Sequence, residues 1–255
     1  MATVMDVYHF LDGKAPFSTQ MSFDNAGFLV GRGDKEVHTI LVALDITETV
    51  VEEAAQAGAE LIVSHHPVIF FPAKHITDQD PSGRKLLALL EHNIAAICAH
   101  TNLDIAPGGV NDALAQALGL EQIGPFSEDG LGRTGIVSGA PSVEAFAAQV
   151  KERLGANGVR FVDGGRPVCK VAVGGGACGD MGPAAIACGC DTFVTSDVKY
   201  HEFQGAETLG LNLIDAGHYP TENVVCPVLV DWLQEGFPDV SVLLSHRHHE
   251  VFSYC

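Results

Sequence analysis

The stretch HTILVALDITETVVEEAAQAGAELIVSHHP, residues 38–67, decides the fold class. Residues 38–44 form a short apolar, β-branched run that is typical of a buried strand. Residues 47–58 are rich in Ala and Glu, begin with a capping threonine and end at a glycine, which predicts a helix. Residues 60–63 predict a second strand. A strand, a helix and a strand in this order predict parallel strands that are covered by helices.

The same alternation continues along the chain and returns in its second half. Further strands are expected at 94–98, 158–162, 168–173, 192–195 and 211–214, and further helices at 83–93, 109–119, 142–154, 180–189, 203–210 and from about 221. At an offset of 131, residues 54–64 match residues 185–195 in pattern. We therefore predict an α/β fold of two related three-layer halves with mostly parallel strands. The halves are residues 1–125 and 126–255, with a metal site between them.

Composition limits the partners of the chain. The 255 residues carry 32 Asp and Glu against 14 Lys and Arg, a formal net charge of −18, beside twelve histidines. This charge disfavours nucleic acid polymers and anionic membranes, but not a small-molecule substrate that binds at a cationic centre. No apolar run approaches the ~20 residues of a membrane span. Seven cysteines without a CxxC pair, and no visible signal peptide, predict a cytoplasmic protein.

Six potential metal ligands follow predicted strands. They are His65, His66, His100, Asp104, His218 and Glu222. Pro67 ends the strand before the adjacent histidines, so that both imidazoles can serve one site; a pair of surface or capping histidines is the alternative. Imidazole and carboxylate ligands without cysteine suit Zn, Mn, Fe, Co or Ni. Six such groups fit two divalent metal ions per subunit, which would supply a hydroxide nucleophile for hydrolysis.

Two motifs of the second half leave alternatives open. Gly174, Gly176 and Gly179 match G-x-G-x-x-G after a strand, the form of a dinucleotide fingerprint. A glycine-rich strand-to-helix turn is the more common meaning, although its backbone N–H groups could hold a phosphate. Asp197 and His201 follow the strand 192–195, where either could orient a ligand or carry a proton.

The C-terminal segment contains three more histidines, His246, His248 and His249. They could bind adventitious metal or occupy a surface turn before a β-like end at 251–254. The turn is favoured, and whether these histidines reach the metal site stays open.

These motifs together resemble the NIF-three-like family, dinuclear-metal-centre hexameric proteins that are often named GTP cyclohydrolase 1 type 2 homologues. The resembling stretches are residues 23–31, 43–47, 61–67, 99–104, 109–112, 191–201 and 214–222. The resemblance implies that five side chains ligate two divalent ions, with Glu222 bridging: His65, His66, Asp104, His218 and Glu222. His100 would be an extra ligand or a neighbour of the centre. The resemblance also implies two α/β domains per subunit and a homohexamer with its metal centres facing an interior cavity.

The leading functional hypothesis is a dinuclear metal-dependent hydrolase that is similar to GTP cyclohydrolase 1 type 2. A metal-bound hydroxide would attack a small substrate, such as the purine C8 of GTP, with His201 or His100 as proton carrier. One alternative is a metal-binding regulatory or metal-delivery protein without turnover. Another is a nucleotide-binding module that uses the glycine-rich loop at 174–179.

Overall fold

The computed structural model describes residues 1–127 and 130–255, which form two compact units. One unit comprises Met1–Pro107 and Cys226–His249, and the other comprises Gly108–Val225 and Glu250–Cys255. This division differs from the expected boundary at residue 125. Residues 108–125 belong to the second unit, and the chain returns to the first unit at Cys226.

The described residues form eleven strands and ten helices. The strands are β1 (Gly27–Val30), β2 (Thr39–Ala43), β3 (Leu61–Ser64), β4 (Ala95–Cys98), β5 (Glu121–Pro125), β6 (Arg133–Ile136), β7 (Arg160–Val162), β8 (Lys170–Val173), β9 (Thr192–Thr195), β10 (Asn212–Asp215) and β11 (Ser241–Leu244). The helices are α1 (Val4–Lys14), α2 (Glu48–Ala57), α3 (Pro81–Glu91), α4 (Thr101–Ile105), α5 (Val110–Ala117), α6 (Val143–Leu154), α7 (Gly182–Ala187), α8 (Tyr200–Leu209), α9 (His218–Glu222) and α10 (Val225–Gly236).

The first unit contains a five-stranded sheet of order β1-β4-β3-β2-β11. Strands β4, β3, β2 and β11 are parallel neighbours, and β1 pairs antiparallel with β4. The predicted helix after β2 forms because the Thr47 hydroxyl accepts the Val50 N–H at its start and Gly58 takes a left-handed conformation at its end. Leu41 and Ile62 pack against α2 and α3 on one face of this sheet.

The second unit contains a six-stranded sheet of order β5-β6-β8-β9-β10-β7. Strands β8, β9 and β10 are parallel, and the other pairs are antiparallel. Alternate residues of these strands enter different cores, since successive side chains point to opposite faces. Val194 packs in a core with α5 and α6, whereas Phe193 packs in a core with α7 and α8. This unit therefore has the three layers that were predicted.

The predicted α/β fold with parallel central strands is confirmed. In each unit, three parallel strands stand beside an antiparallel edge strand: β2, β3 and β4 next to β1, and β8, β9 and β10 next to β7. This shared order agrees with the sequence repeat. The prediction of a β-like end at 251–254 is wrong, because these residues pair with no described strand. Of the helices in residues 1–127 and 130–255, none combines the length and the apolar character that a bilayer crossing requires.

Candidate metal centre

Three histidines lie together in the first unit, just after parallel strands. His65 and His66 follow the last residue of β3, and His100 comes two residues after the end of β4. The centroid of the His65 ring lies 4.9 Å from that of His66 and 5.1 Å from that of His100. One ligating atom of each of the three lies within 4.8 Å of the others. The carboxyl ends of neighbouring parallel strands thus bring three imidazoles to one place.

His65 and His66 are held through Nδ1. The Nδ1 atom of His65, which is fully buried, lies 2.8 Å from the carbonyl oxygen of Ala99. A carbonyl oxygen only accepts, so Nδ1 carries the proton and Nε2 carries the lone pair. The Nδ1 atom of His66 lies 2.7 Å from Oδ1 of Asp45. Burial raises the pKa of Asp45, but hydrogen bonds from His248 and His66 outweigh it and hold that pKa well below its usual range.

His100 is held in the same way by Asp24. Its Nδ1 atom lies 2.7 Å from Oδ1 of Asp24, while the other carboxylate oxygen accepts from the backbone N–H and hydroxyl of Thr101. Burial raises the pKa of Asp24, but hydrogen bonds from His100 and Thr101 lower it well below its usual range. An ionised Asp24 accepts a hydrogen bond from the Nδ1–H group, so His100 also presents its Nε2 lone pair.

Asp104 supplies a carboxylate to the same cluster. It lies on α4, the short helix that begins directly after His100, and its side chain is 10% exposed. Its Oδ1 atom lies 3.7 Å from Nε2 of His65. A lone pair and a carboxylate oxygen that face each other at this distance are attracted to a common cation. The first unit therefore offers three imidazole nitrogens and one carboxylate.

The second unit offers an imidazole and a carboxylate of its own. His218 and Glu222 are four residues apart on α9, so their side chains lie on one face of the helix. The Nδ1 atom of His218 lies 2.7 Å from Oδ2 of Asp197, and its Nε2 atom lies 2.9 Å from Oε2 of Glu222. A neutral imidazole has one proton for these two carboxylates. The second contact is favourable when a cation is shared there, either a second proton or a metal ion.

One glycine of the suspected fingerprint, Gly176, lies against this pair. A Cβ atom on Gly176 would lie 2.1 Å from Oε1 of Glu222 and 3.4 Å from Nε2 of His218. Gly176 also has a φ of +68°, in the left-handed region that favours glycine. The Gly176 N–H donates to the hydroxyl of Thr221. This loop therefore makes room for the Glu222 carboxylate, in agreement with the interpretation as a glycine-rich strand-to-helix turn.

A model of the family described as Duf34/NIF3 (NGG1p interacting factor 3) matches residues 2–250. The chain belongs to the DUF34/NIF3 family. A Clostridium perfringens relative with the name GTP cyclohydrolase 1 type 2 homolog is 32% identical over 257 residues, 98% of each chain. A Streptomyces coelicolor relative with the same name is 35% identical, over 97% of this chain and 88% of its own. The crystal structure of a hypothetical protein from Staphylococcus aureus superimposes with a TM-score of 0.94 at 31% identity, over 99% of both chains.

In this DUF34/NIF3 chain, sequence reasoning missed the residues that hold the histidines. Asp24 and Asp45 lie in stretches that carry the family resemblance, yet neither was assigned a role. The signal for Asp45 was its place directly after a predicted strand. Asp197 was named as a residue that could orient a ligand, and its contact with His218 agrees with that prediction.

His201 and His248 lie outside the group formed by His65, His66 and His100. His201 is exposed in the first turn of α8 and lines a small cavity with Gly179 and Asp180, so its role as a proton carrier stays a prediction. His248, in the C-terminal turn, places Nε2 3.0 Å from Oδ2 of Asp45. Asp45 thus contacts His66 through one oxygen and His248 through the other, and one tail histidine does reach the residues around the cluster.

Proposed function

We propose that this DUF34/NIF3 protein is a dinuclear metal-dependent hydrolase of the GTP cyclohydrolase 1 type 2 kind. One observation carries the proposal: four histidines at strand ends each have Nδ1 within hydrogen-bond distance of an oxygen acceptor. The acceptors are Ala99 for His65, Asp45 for His66, Asp24 for His100 and Asp197 for His218. Histidines that ligate metals are held in this way, because the outer contact fixes the tautomer and the orientation of the ring.

The proposed ligands are those that the family resemblance implied. They are His65, His66, Asp104, His218 and Glu222, with Glu222 bridging and His100 as an extra ligand or neighbour. Nitrogen and oxygen donors suit Zn, Mn, Fe, Co or Ni. When bound, two such ions polarise the substrate and make nearby water a better nucleophile at neutral pH.

The chain's own residues have distinct tasks in this proposal. Asp24, Asp45 and Asp197 keep the imidazole rings in the ligating tautomer. His100, with Nδ1 on an ionised carboxylate, resembles the His–Asp pairs that accept a proton at Nε2 and return it to a leaving group. His201 is the second candidate for this proton transfer, and its exposure leaves it open to solvent exchange.

The test combines metal analysis with turnover of GTP. Protein purified without chelators is expected to contain two divalent ions per chain and to hydrolyse GTP or a related small substrate. Glu222→Gln is expected to lose metal, whereas His201→Gln should keep both ions while its kcat falls. His249→Gln, on the exposed tail, is the matched control.

Other outcomes would point elsewhere. Less than one ion per chain, with the same content in Glu222→Gln, would contradict the dinuclear centre. Two ions without turnover of GTP, phosphoesters or cyclic amides would favour a metal-binding regulatory or metal-delivery protein. Metal-independent nucleotide binding that is lost on substitution in residues 174–179 would favour the nucleotide-binding module.

The assembly and location form part of the same proposal. The family resemblance supports a homohexamer, and light scattering should give six times the mass of one chain. Seven free cysteines, of which Cys169 and Cys255 are exposed, are suited to the reducing cytoplasm. A monomeric or dimeric mass at micromolar concentration would contradict the hexamer.

A further inference from the structure

A cavity of about 470 Å³ lies in the first unit next to the histidine cluster. One wall is the segment 67–75, which begins at the residue after His66, and the other is the start of α3. Cavities of 300–1,000 Å³ are typical of small-ligand sites. The side chains that matter below are Phe70, Phe71, Lys74, His75, Ser82 and Lys85.

Aromatic rings connect this cavity to the imidazoles. The Phe70 ring stands edge-on to the His100 ring, with centroids 6.0 Å apart and an interplanar angle of 89°. Phe71 stands edge-on to Phe70 at 4.9 Å and is 78% exposed. Phenylalanine exposed to this extent at the edge of a cavity offers its face to a planar ligand. The aromatic wall thus runs from the histidine cluster to solvent.

The charge of the cavity is opposite to that of the chain. Lys74 and Lys85 line it, although the sequence has only 14 Lys and Arg against 32 Asp and Glu. Asp80 is the carboxylate among the described lining residues, and it is already engaged. Its Oδ1 atom accepts the Gly83 N–H that caps α3, and its Oδ2 atom lies 3.7 Å from Nε2 of His75. Two lysine ammonium groups therefore remain to attract an anion.

We propose that this cavity binds the substrate, and that the substrate is a phosphorylated planar heterocycle of the nucleotide class. The heterocycle contacts Phe71, and the phosphates contact Lys74 and Lys85, with the Ser82 hydroxyl as an additional donor. The phosphates thus bind away from the imidazoles, and the heterocycle can extend along Phe70 to His100. This inference rests on the proposed function, because it supplies the binding residues for that chemistry.

Calorimetry on the metal-loaded protein tests the inference with three probes: GTP, inorganic tripolyphosphate and guanosine. Joint substitution of Lys74→Ala and Lys85→Ala is expected to weaken GTP and tripolyphosphate at least about 10-fold, since charge-assisted contacts are lost. Phe71→Ala is expected to weaken GTP and guanosine about 10-fold and to leave tripolyphosphate unchanged, because base stacking is lost. Lys151→Ala and Phe252→Ala, on the exposed surface of the second unit, are the controls. Metal content is measured in every variant.

The outcomes separate this inference from the proposed function. If GTP binds and is hydrolysed by wild type and by all variants alike, the cavity assignment is overturned while the hydrolase stands. If GTP binding depends on the lysines and Phe71 but no turnover occurs, the cavity assignment stands while the hydrolase fails. Loss of tripolyphosphate binding in Phe71→Ala would show a collapsed cavity wall instead of a stacking contact, and would overturn the assignment to a planar heterocycle. Absence of GTP and tripolyphosphate binding in the wild type would overturn it entirely.

Discussion

The loop beside Glu222 allows a sharp test of the candidate metal centre with the substitution Gly176→Ala. The new Cβ atom would lie 2.1 Å from Oε1 and 3.1 Å from Cδ of Glu222, much closer than van der Waals contact permits. The carboxylate would have to leave its position beside His218. Since Gly176 has a φ of +68°, the substitution also strains the backbone.

The two effects have different magnitudes, and one matched control separates them. A left-handed alanine costs about 1–2 kcal/mol of folding stability. Displacing the Glu222 carboxylate should lower metal affinity at least about 10-fold, because losing a direct ligand costs no less than losing a group that holds one. Gly155→Ala has a similar backbone strain, with a φ of +61°, but its Cβ meets nothing within 4 Å. It should lose stability and keep its metal.

The assay is metal titration of the chelator-stripped variants, with urea unfolding of the same samples. We expect both variants to lose about 1–2 kcal/mol of unfolding free energy in the absence of metal. Only Gly176→Ala should bind metal more weakly. Wild-type metal affinity in Gly176→Ala, or an equal loss of affinity in Gly155→Ala, would refute the role assigned to this glycine.

Three further predictions concern other parts of the chain. His248→Ala should weaken metal binding about 10-fold, because Asp45 loses one of its two histidine contacts. His249→Ala, at an exposed position, should leave metal binding unchanged. Equal metal affinities of the two variants would contradict the role of His248. Burial raises the pKa of Glu53, but hydrogen bonds from Ser245 and the backbone of residues 246 and 247 outweigh it and lower that pKa. Glu53→Gln should lower the unfolding free energy by less than about 1 kcal/mol at pH 7, since solvent screens these contacts. The loss should shrink below about pH 4 as the carboxylate is protonated, and urea unfolding at both pH values measures it. Burial raises the pKa of Cys98 to about 12 and that of Cys190 to about 11. Iodoacetamide should therefore label the exposed Cys169 and Cys255 first, and peptide mass spectrometry measures the order of labelling.

The elements of the fold could be predicted because their signals are local. The helix α2 was expected from its capping threonine and terminal glycine, and β9 from a run of β-branched and aromatic residues that the structure reproduces with the same bounds. The return of the chain to the first unit was not predicted. Strand β11 pairs with β2, about 200 residues earlier in the sequence, and no local pattern in 241–244 identifies its partner.

In the candidate site too, local patterns predicted some residues and missed others. Histidines after strands were visible as a pattern, because strand ends and prolines are local features. The groups that hold them were not, since Asp24 is 76 residues from His100 and Asp45 is 21 residues from His66. The glycine fingerprint shows the opposite problem. Its residues were recognised, but only the position of Gly176 beside Glu222 shows that the missing side chain makes room for a neighbouring carboxylate.

Some of the acidic residues of the chain lie beside the histidines at these strand ends. In the first unit, Asp24, Asp45 and Asp104 surround three histidines, and Asp24 and Asp45 have lowered pKa values and are ionised at neutral pH. In the second unit, Asp197 and Glu222 face the single His218. Neutral imidazoles do not balance these carboxylates, so a bound cation would offset negative charge in either group of side chains. Two divalent ions would change the formal charge from −18 to −14, since each adds two positive charges. Most of the acidity would therefore remain, while the ions and Lys74 and Lys85 would give a small anionic substrate its attractive sites.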